Sequence, residues 1–311
     1  MSNSDVTTGL LAPELLARLK SLQLRARRAV DGSLTGLHRS PHFGASVEFA
    51  EHKEYAPGDE IRHLDWRVFA KSDKYYVKRY EQETNLQATL LVDTSSSMLY
   101  QSPDALCSKW DYTCTISAAI AYILLLQQDS VGLVLVGSDV QEYIPPRNRS
   151  SHLVHLCEQL VRHPPKPRTG TNLLKGAQYV SEVLPSRGIV FVLSDFLDTD
   201  PRFFDVLKRV QGRGRQVYLL HVLDPWEVNF PFDDMTLFRS LESGRKLMAE
   251  PRAMRTKYLE AFQQFLSDLR EGARAVGMDH RLLRTDEPFE HVMTSLIRGS
   301  RTSTVGGPDG S

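Results

Sequence analysis

Between Leu86 and Val222, short runs rich in Val, Leu and Ile alternate with longer apolar stretches of helical length, and this alternation limits the fold more than any other feature of the chain. Leu86–Val92, Ser130–Val136, Ile189–Leu193 and Gln216–Val222 read as strands; Trp110–Gln127, Leu153–Val161, Leu173–Leu184 and a segment from Pro201 to about Val210 read as helices. Pro201 suits a helix start, where its missing N–H costs nothing. Strands apolar along their whole length belong to parallel sheets buried on both faces, so the expected fold is α/β: a mostly parallel sheet with helices on both faces. Val140–Ile144 is expected at an edge. Ligands of such sheets bind beyond the carboxyl ends of the strands, which directs attention to the residues just after Val92 and Leu193.

The first of these ends reads Asp93-Thr94-Ser95-Ser96-Ser97. D-x-S-x-S sets one carboxylate and two hydroxyls on a tight loop, all oxygen donors of the kind hard cations such as Mg²⁺ and Mn²⁺ prefer. A plain Asx or Ser turn is the alternative, since serine-rich turns after strands are common. The second end reads Ser194-Asp195. Between them Gly170-Thr171-Asn172 follows a loop dense in Pro and basic residues, His163 to Thr169, and precedes a helix.

The flanks are less regular. Pro13 to Val30 carries Leu15, Leu16, Leu19, Leu22 and Leu24 among basic residues, an amphipathic helix expected to end at Asp31-Gly32. Residues 36–84 are dense in Gly, charge and aromatics without clean periodicity, and Pro57-Gly58-Asp59 is a turn by its chemistry. Tyr75–Tyr80 is expected as a strand. Beyond Trp226, Thr236–Leu241 and Lys246–Met248 flank a hairpin turn, Met254–Val276 is a long amphipathic helix with Gly277 as its C-cap, Asp279–Arg284 is a strand and Phe289–Ile297 a last helix. Residues 1–10 and the tail from Gly299 are disordered by composition.

Composition narrows the function. Lys plus Arg and Asp plus Glu number 38 each in 311 residues, so no global charge favours nucleic acid or anionic membranes. The six Lys and Arg from Arg62 to Arg79 lie among aromatics, but Asp65 and Asp73 among them favour an ion-paired surface over a strand-binding one. Cys107, Cys114 and Cys157 form no C-x-x-C, and all three are expected in helical segments as small core residues. The longest apolar run, Ile116–Leu126, is too short to span a bilayer, and Met1-Ser-Asn-Ser-Asp5 has no signal-peptide pattern. The expected location is cytoplasmic, and Asn148-Arg149-Ser150 then carries no meaning as a glycosylation site. There is no P-loop, no G-x-S-x-G and no H-E-x-x-H; Gly212-Arg213-Gly214 follows a helix rather than a strand and lacks the third glycine of a dinucleotide loop.

Taken in order, the D-x-S-x-S loop, the Thr of the second loop and the Asp of the third resemble the metal-ion-dependent adhesion site of von Willebrand factor A domains. The run Glu48-Phe49, Tyr55, Pro57-Gly58-Asp59, Arg62, Asp65-Trp66, Tyr80 and Glu83 ahead of D-x-S-x-S resembles bacterial domain-of-unknown-function family 58 over roughly residues 36–225, with Lys71 where relatives often carry Arg. The resemblance implies that Asp93, Ser95, Ser97, Thr171 and Asp195 surround one Mg²⁺ or Mn²⁺. Ser95 and Ser97 would be direct ligands, Thr171 direct or water-bridged, and the aspartates would act mostly through water. It implies four parts: residues 1–35 a helix with its tail, 36–84 a family-specific polar segment, 85–298 a von Willebrand factor A-like domain, 299–311 a tail. It further implies a non-enzymatic adaptor that binds a client protein's carboxylate through the metal and works with a MoxR-type AAA+ ATPase. Glu48, Tyr55, Asp59, Arg62, Asp65, Trp66 and Arg67 are the candidate second contact surface. The alternative is a metal-assisted hydrolase built on Asp93, Ser95 and Ser97, since a metal-bound hydroxyl loses its proton more readily.

Overall fold

A computed structural model of the chain describes residues 13–35, 48–54, 76–81, 86–184, 187–197 and 199–299. Of the candidate second surface, Tyr55, Asp59, Arg62, Asp65, Trp66 and Arg67 lie outside the described residues, as do residues 1–10 and the tail beyond Gly299; Glu48 opens a strand.

The central sheet contains β3 (Gln87–Asp93), β4 (Ser130–Val136), β5 (Val140–Arg147), β6 (Gly188–Ser194), β7 (Arg215–Leu223) and β10 (Asp279–Arg284), in the order β10-β7-β6-β3-β4-β5. Every neighbouring pair is parallel except β4–β5, which places β5 at the edge as a hairpin return. The doubly covered sheet expected from the apolar strands is therefore present. Its strand residues sort by parity: Leu90, Val92, Leu133, Leu135, Phe191 and Leu193 bury into one core, Leu91, Val134, Val136, Val190 and Val192 into the other.

The first core is covered by α2 (Lys109–Leu126), α3 (Ser151–Arg162), α8 (Phe289–Gly299) and α1 (Pro13–Thr35); the second by α4 (Leu173–Val183), α5 (Arg202–Gln211) and α7 (Pro251–Ala275). α2 is buried nearly all round because α1 and α3 pack against its far side. Leu19, Leu22, Ala26, Ala29 and Val30 form the buried stripe of α1, at helical spacing. That helix does not end at Asp31-Gly32: it continues to Thr35, and Gly32 lies where α8 comes so close that a Cβ would stand 2.6 Å from Glu290 Cγ. The glycine read as a stop is a close-packing residue.

Two small antiparallel sheets complete the described chain. β1 (Glu48–Glu54) pairs with β2 (Tyr76–Glu81); β1 was not legible because Glu-Phe-Ala-Glu-His-Lys-Glu lacks alternation. β8 (Thr236–Arg239) pairs with β9 (Lys246–Ala249) as the expected hairpin. A short helix, α6 (Pro225–Asn229), follows β7 directly, started by an Asp224/Glu227 capping box. Cys107 differs from expectation: it sits half-buried ahead of α2 rather than in a helix, while Cys114 and Cys157 are buried within α2 and α3. Burial pushes the Cys107 and Cys157 thiols up to about 12, which leaves them unreactive.

Candidate metal centre at the carboxyl ends of the strands

Asp93 is the last residue of β3 and is fully buried. Its Oδ1 accepts the Ser95 N–H at 2.8 Å, the closure of an Asx turn, and its Oδ2 accepts the Ser194 hydroxyl at 2.6 Å. The turn throws the Ser95 and Ser97 hydroxyls together, 2.8 Å apart. Backbone bonds fix this loop to its neighbours: the Thr94 N–H donates to Val136 at 2.7 Å, and both the N–H and the hydroxyl of Ser96 donate to the Thr169 carbonyl at 2.8 Å. Asn172 N–H donates to Gly137 at 2.7 Å, so the loop bearing Thr171 is sewn to the end of β4. The side chain of Asn172 then caps α4 by accepting the Lys175 N–H.

Asp195 follows β6 at the neighbouring strand end. The next residue, Phe196, has φ +53, a left-handed conformation that costs a non-glycine residue of order 1 kcal/mol or more and is held by its N–H bond to the Ser194 hydroxyl. Asp195 is buried, its Oδ1 accepts the Leu197 N–H at 3.3 Å, and the nearby Ser97 hydroxyl helps hold its carboxyl ionised. Asp93, Ser95 and Ser97 are thus joined by hydrogen bonds, with Asp195 alongside. Thr171 stands two residues beyond the Thr169 carbonyl that Ser96 grips, with Oγ1 buried and without a hydrogen-bond partner.

Three participants were not read from the sequence. Ser194 orients Asp93. Lys109, at the start of α2, is completely buried, and its ammonium donates to Asp195 Oδ2 at 2.8 Å and to Glu227 Oε1 at 2.7 Å. Glu227 in turn accepts the Asp224 N–H through Oε2, locking α6 to the cluster. The apolar α2 segment was legible from Trp110 on, but nothing local marks a lysine one residue earlier as buried, because its partners lie 86 and 118 residues away.

The charges are unequal. Burial, with Asp195 alongside, pushes the Asp93 carboxyl up to about 6. Burial opposes ionisation of Asp195 as well, but the Lys109 ammonium outweighs it and holds that carboxyl below its ordinary value. Burial raises Glu227 despite the same ammonium.

The donor set fits a hard cation of a particular kind. Among the described residues no group of three or more His, Cys, Asp and Glu is placed to hold a metal. What the cluster offers instead is hydroxyl oxygen from the paired Ser95 and Ser97, and the adjoining loop carries Thr171, whose buried Oγ1 has no hydrogen-bond partner. Both carboxylates are already accepting hydrogen bonds, which suits them to orient ligands and supply charge rather than to coordinate directly.

The match to the family described as protein of unknown function DUF58 runs over residues 51–265, well over half of the chain. The chain belongs to the DUF58 family. Relatives include uncharacterized proteins of Mycobacterium bovis and Mycobacterium tuberculosis, each 26% identical over 298 residues, spanning 95% of this chain and 92% of the relative. Similar solved structures include the BatB protein of Bacteroides thetaiotaomicron (14% identity, 70% of this chain and 99% of that one, TM-score 0.46). An aerotolerance-related membrane protein of Bacteroides fragilis is also similar (16%, 70% and 100%, TM-score 0.49). The sheet of this DUF58 chain is mostly parallel and clothed by helices on both sides. Among its described residues no helix is long and apolar enough to cross a membrane.

Proposed function

We propose that this DUF58 protein is a divalent-metal-dependent protein-binding adaptor without catalytic activity, in which Ser95, Ser97 and Thr171 hold Mg²⁺ or Mn²⁺ and Asp93 and Asp195 support it. The observation that carries the reading is the buried, unpartnered Thr171 Oγ1 on a loop bonded through Thr169 to the one that pairs the Ser95 and Ser97 hydroxyls, both carboxylates being already engaged. The bound ion would supply an electrophilic position open to the carboxylate of a client protein. The protein's own contribution is to hold the Ser95 and Ser97 hydroxyls just beyond a strand end and Thr171 on a loop bonded to it, and to limit negative charge, since Lys109 offsets Asp195. A MoxR-type AAA+ ATPase, implied by the family resemblance, is the proposed working partner, with Mg²⁺ or Mn²⁺ required to hold the complex of client and ATPase on this chain rather than for ATP chemistry in it.

Binding is favoured over the metal-assisted hydrolase because the Ser95 hydroxyl meets Ser97, and Ser97 meets Asp195; among the described residues no imidazole hydrogen-bonds either serine to serve as its base. The test is a calorimetric titration with Mn²⁺, followed by pull-down of the co-expressed ATPase in Mg²⁺ and in chelator. The wild type should bind one ion, and Ser95→Ala/Ser97→Ala should weaken binding at least tenfold, about 1.4 kcal/mol, and release the partner. Equal Mn²⁺ binding by both proteins, or partner retention in chelator, would overturn the metal reading.

A further inference from the structure

The β8–β9 hairpin projects from the carboxyl-end surface and carries an outward face without a described covering. Leu237 pairs directly with Met248, and Arg239 directly with Lys246, two residues along; opposite residues and next-but-one residues share a face of a strand pair, so these four side chains stand together. All four are exposed, Leu237 by 51% and Met248 by 60%. The other face supplies Phe238, whose ring packs on Phe230 and Phe232 and anchors the hairpin to the body.

Two features of the outward face cost free energy in the isolated protein. An exposed Leu–Met pair leaves apolar surface in water, and like charges directly opposite one another destabilise a strand pair. Neither Arg239 nor Lys246 forms an ion pair among the described residues. A partner with apolar side chains next to acidic ones would relieve both costs at once.

The face is also mechanically continuous with the hydroxyl cluster. At the hairpin tip the Leu241 carbonyl accepts the Arg168 N–H at 3.3 Å, and the Arg168 guanidinium runs alongside Gly244. The next residue, Thr169, is the one gripped by Ser96. Three consecutive links join the hairpin to the D-x-S-x-S loop. Exposed Lys166, Arg168 and Arg245 extend the positive charge along this path.

We infer that the hairpin face made by Leu237, Met248, Arg239 and Lys246 is a docking surface for an acidic segment of the client protein that places large apolar side chains beside its carboxylates. The inference rests on the adaptor reading above and deepens it: the hydroxyl cluster takes one carboxylate, and the hairpin reads the acidic and apolar residues around it. The acidic partner gains from charge complementarity, and the Leu–Met pair supplies the desolvated contact that charge alone lacks.

The experiment pans a random 16-residue phage-displayed peptide library against the full chain in Mg²⁺ and measures synthetic copies of the selected peptides by fluorescence polarisation. The selected sequences should combine Asp or Glu with Leu, Ile, Met or Phe. Leu237→Ser/Met248→Ser and Arg239→Glu/Lys246→Glu should each weaken Kd at least tenfold with melting temperatures near that of the wild type, because all four side chains are exposed. No enrichment, selected peptides without acidic residues, or unchanged affinity in both hairpin variants overturns the inference. So does a wild-type dimer in sedimentation that the same substitutions make monomeric, since a second copy would then be the occupant. Chelator and Ser95→Ala/Ser97→Ala separate the two proposals. Binding that depends on the hairpin but not on metal leaves the docking surface standing and removes the metal reading. Binding that depends on metal but not on the hairpin does the reverse.

Discussion

Lys109 is the residue on which the candidate site is balanced. A fully buried ammonium between two carboxylates is held by charge-assisted bonds of 2.8 and 2.7 Å, and removing it strands Asp195 and Glu227 without a counter-charge. Breaking one partner of a buried ion pair costs about 3–5 kcal/mol, so Lys109→Met should lower unfolding free energy in urea by about that amount. Lys109→Met/Glu227→Gln, which leaves one buried carboxylate fewer, should recover part of the loss. Equal stability of wild type and Lys109→Met would show that the ammonium is not buried as described. At this scale the sequence displayed the candidate residues whose chemistry is local: Asp93, Ser95 and Ser97 lie within five residues. Thr171 and Asp195 became candidates through the family resemblance, which rests on their order and their place at loop and strand ends. Ser194, Lys109 and Glu227 were not, because a buried polar residue is defined by partners that only the folded chain brings near.

Among the elements, β6 shows how a boundary constrains the sheet. Gly188 opens it with φ +145, and a Cβ there would stand 2.2 Å from the Gln87 carbonyl oxygen of adjacent β3. Gly188→Ala would meet both a disfavoured backbone region and a backbone atom that cannot swing aside. The expected loss is about 3 kcal/mol, read as a lowered urea midpoint with an unchanged slope. Full stability would mean that β3 and β6 can separate locally. Most strands and helices were readable from apolar periodicity, with ends displaced by a few residues. The misread ones are instructive: α1 runs past Asp31-Gly32 because packing against α8 outweighs a modest glycine penalty, and α6 is too short to show a period.

Over the whole molecule, part of the pH dependence of stability should come from a place remote from the candidate site, in addition to the parts from His221 and His280, which burial lowers to about 3 and about 4. His152 lies on α3 at the opposite end of the sheet, and its Nε2–H donates to the Val131 carbonyl at 2.8 Å at the start of β4. Burial lowers its pKa below the ordinary 6.5 against the weaker pull of that carbonyl, and nearby His155 and Arg147 lower it further. A histidine with a lowered folded pKa is protonated first in the unfolded chain. Its contribution is therefore intact above pH 6.5 and lost as pH falls below it, by at most about 1.4 kcal/mol per pH unit. Thermal melts at pH 7.5 and 5.0 should show a decline that His152→Gln, which keeps a donor for Val131, makes shallower. An identical decline in the variant would place the pH sensitivity elsewhere.

What the sequence determined by itself is the class of the fold and the address of the site. Apolar strands alternating with apolar helices leave few ways to bury both faces, and D-x-S-x-S directly after such a strand puts its oxygens at the carboxyl edge. What only the tertiary structure decided is the charge state and the company of that site. Whether Asp195 faces water, a metal or an ammonium depends on α2 and α6 converging on it, and whether Leu237 and Met248 are core or surface depends on which face of the hairpin Phe238 anchors. The first is set by contacts 86 and 118 residues apart in the chain. The second is set by ring contacts of Phe238 with Phe230 and Phe232, which lie close in sequence but outside any strand or helix period.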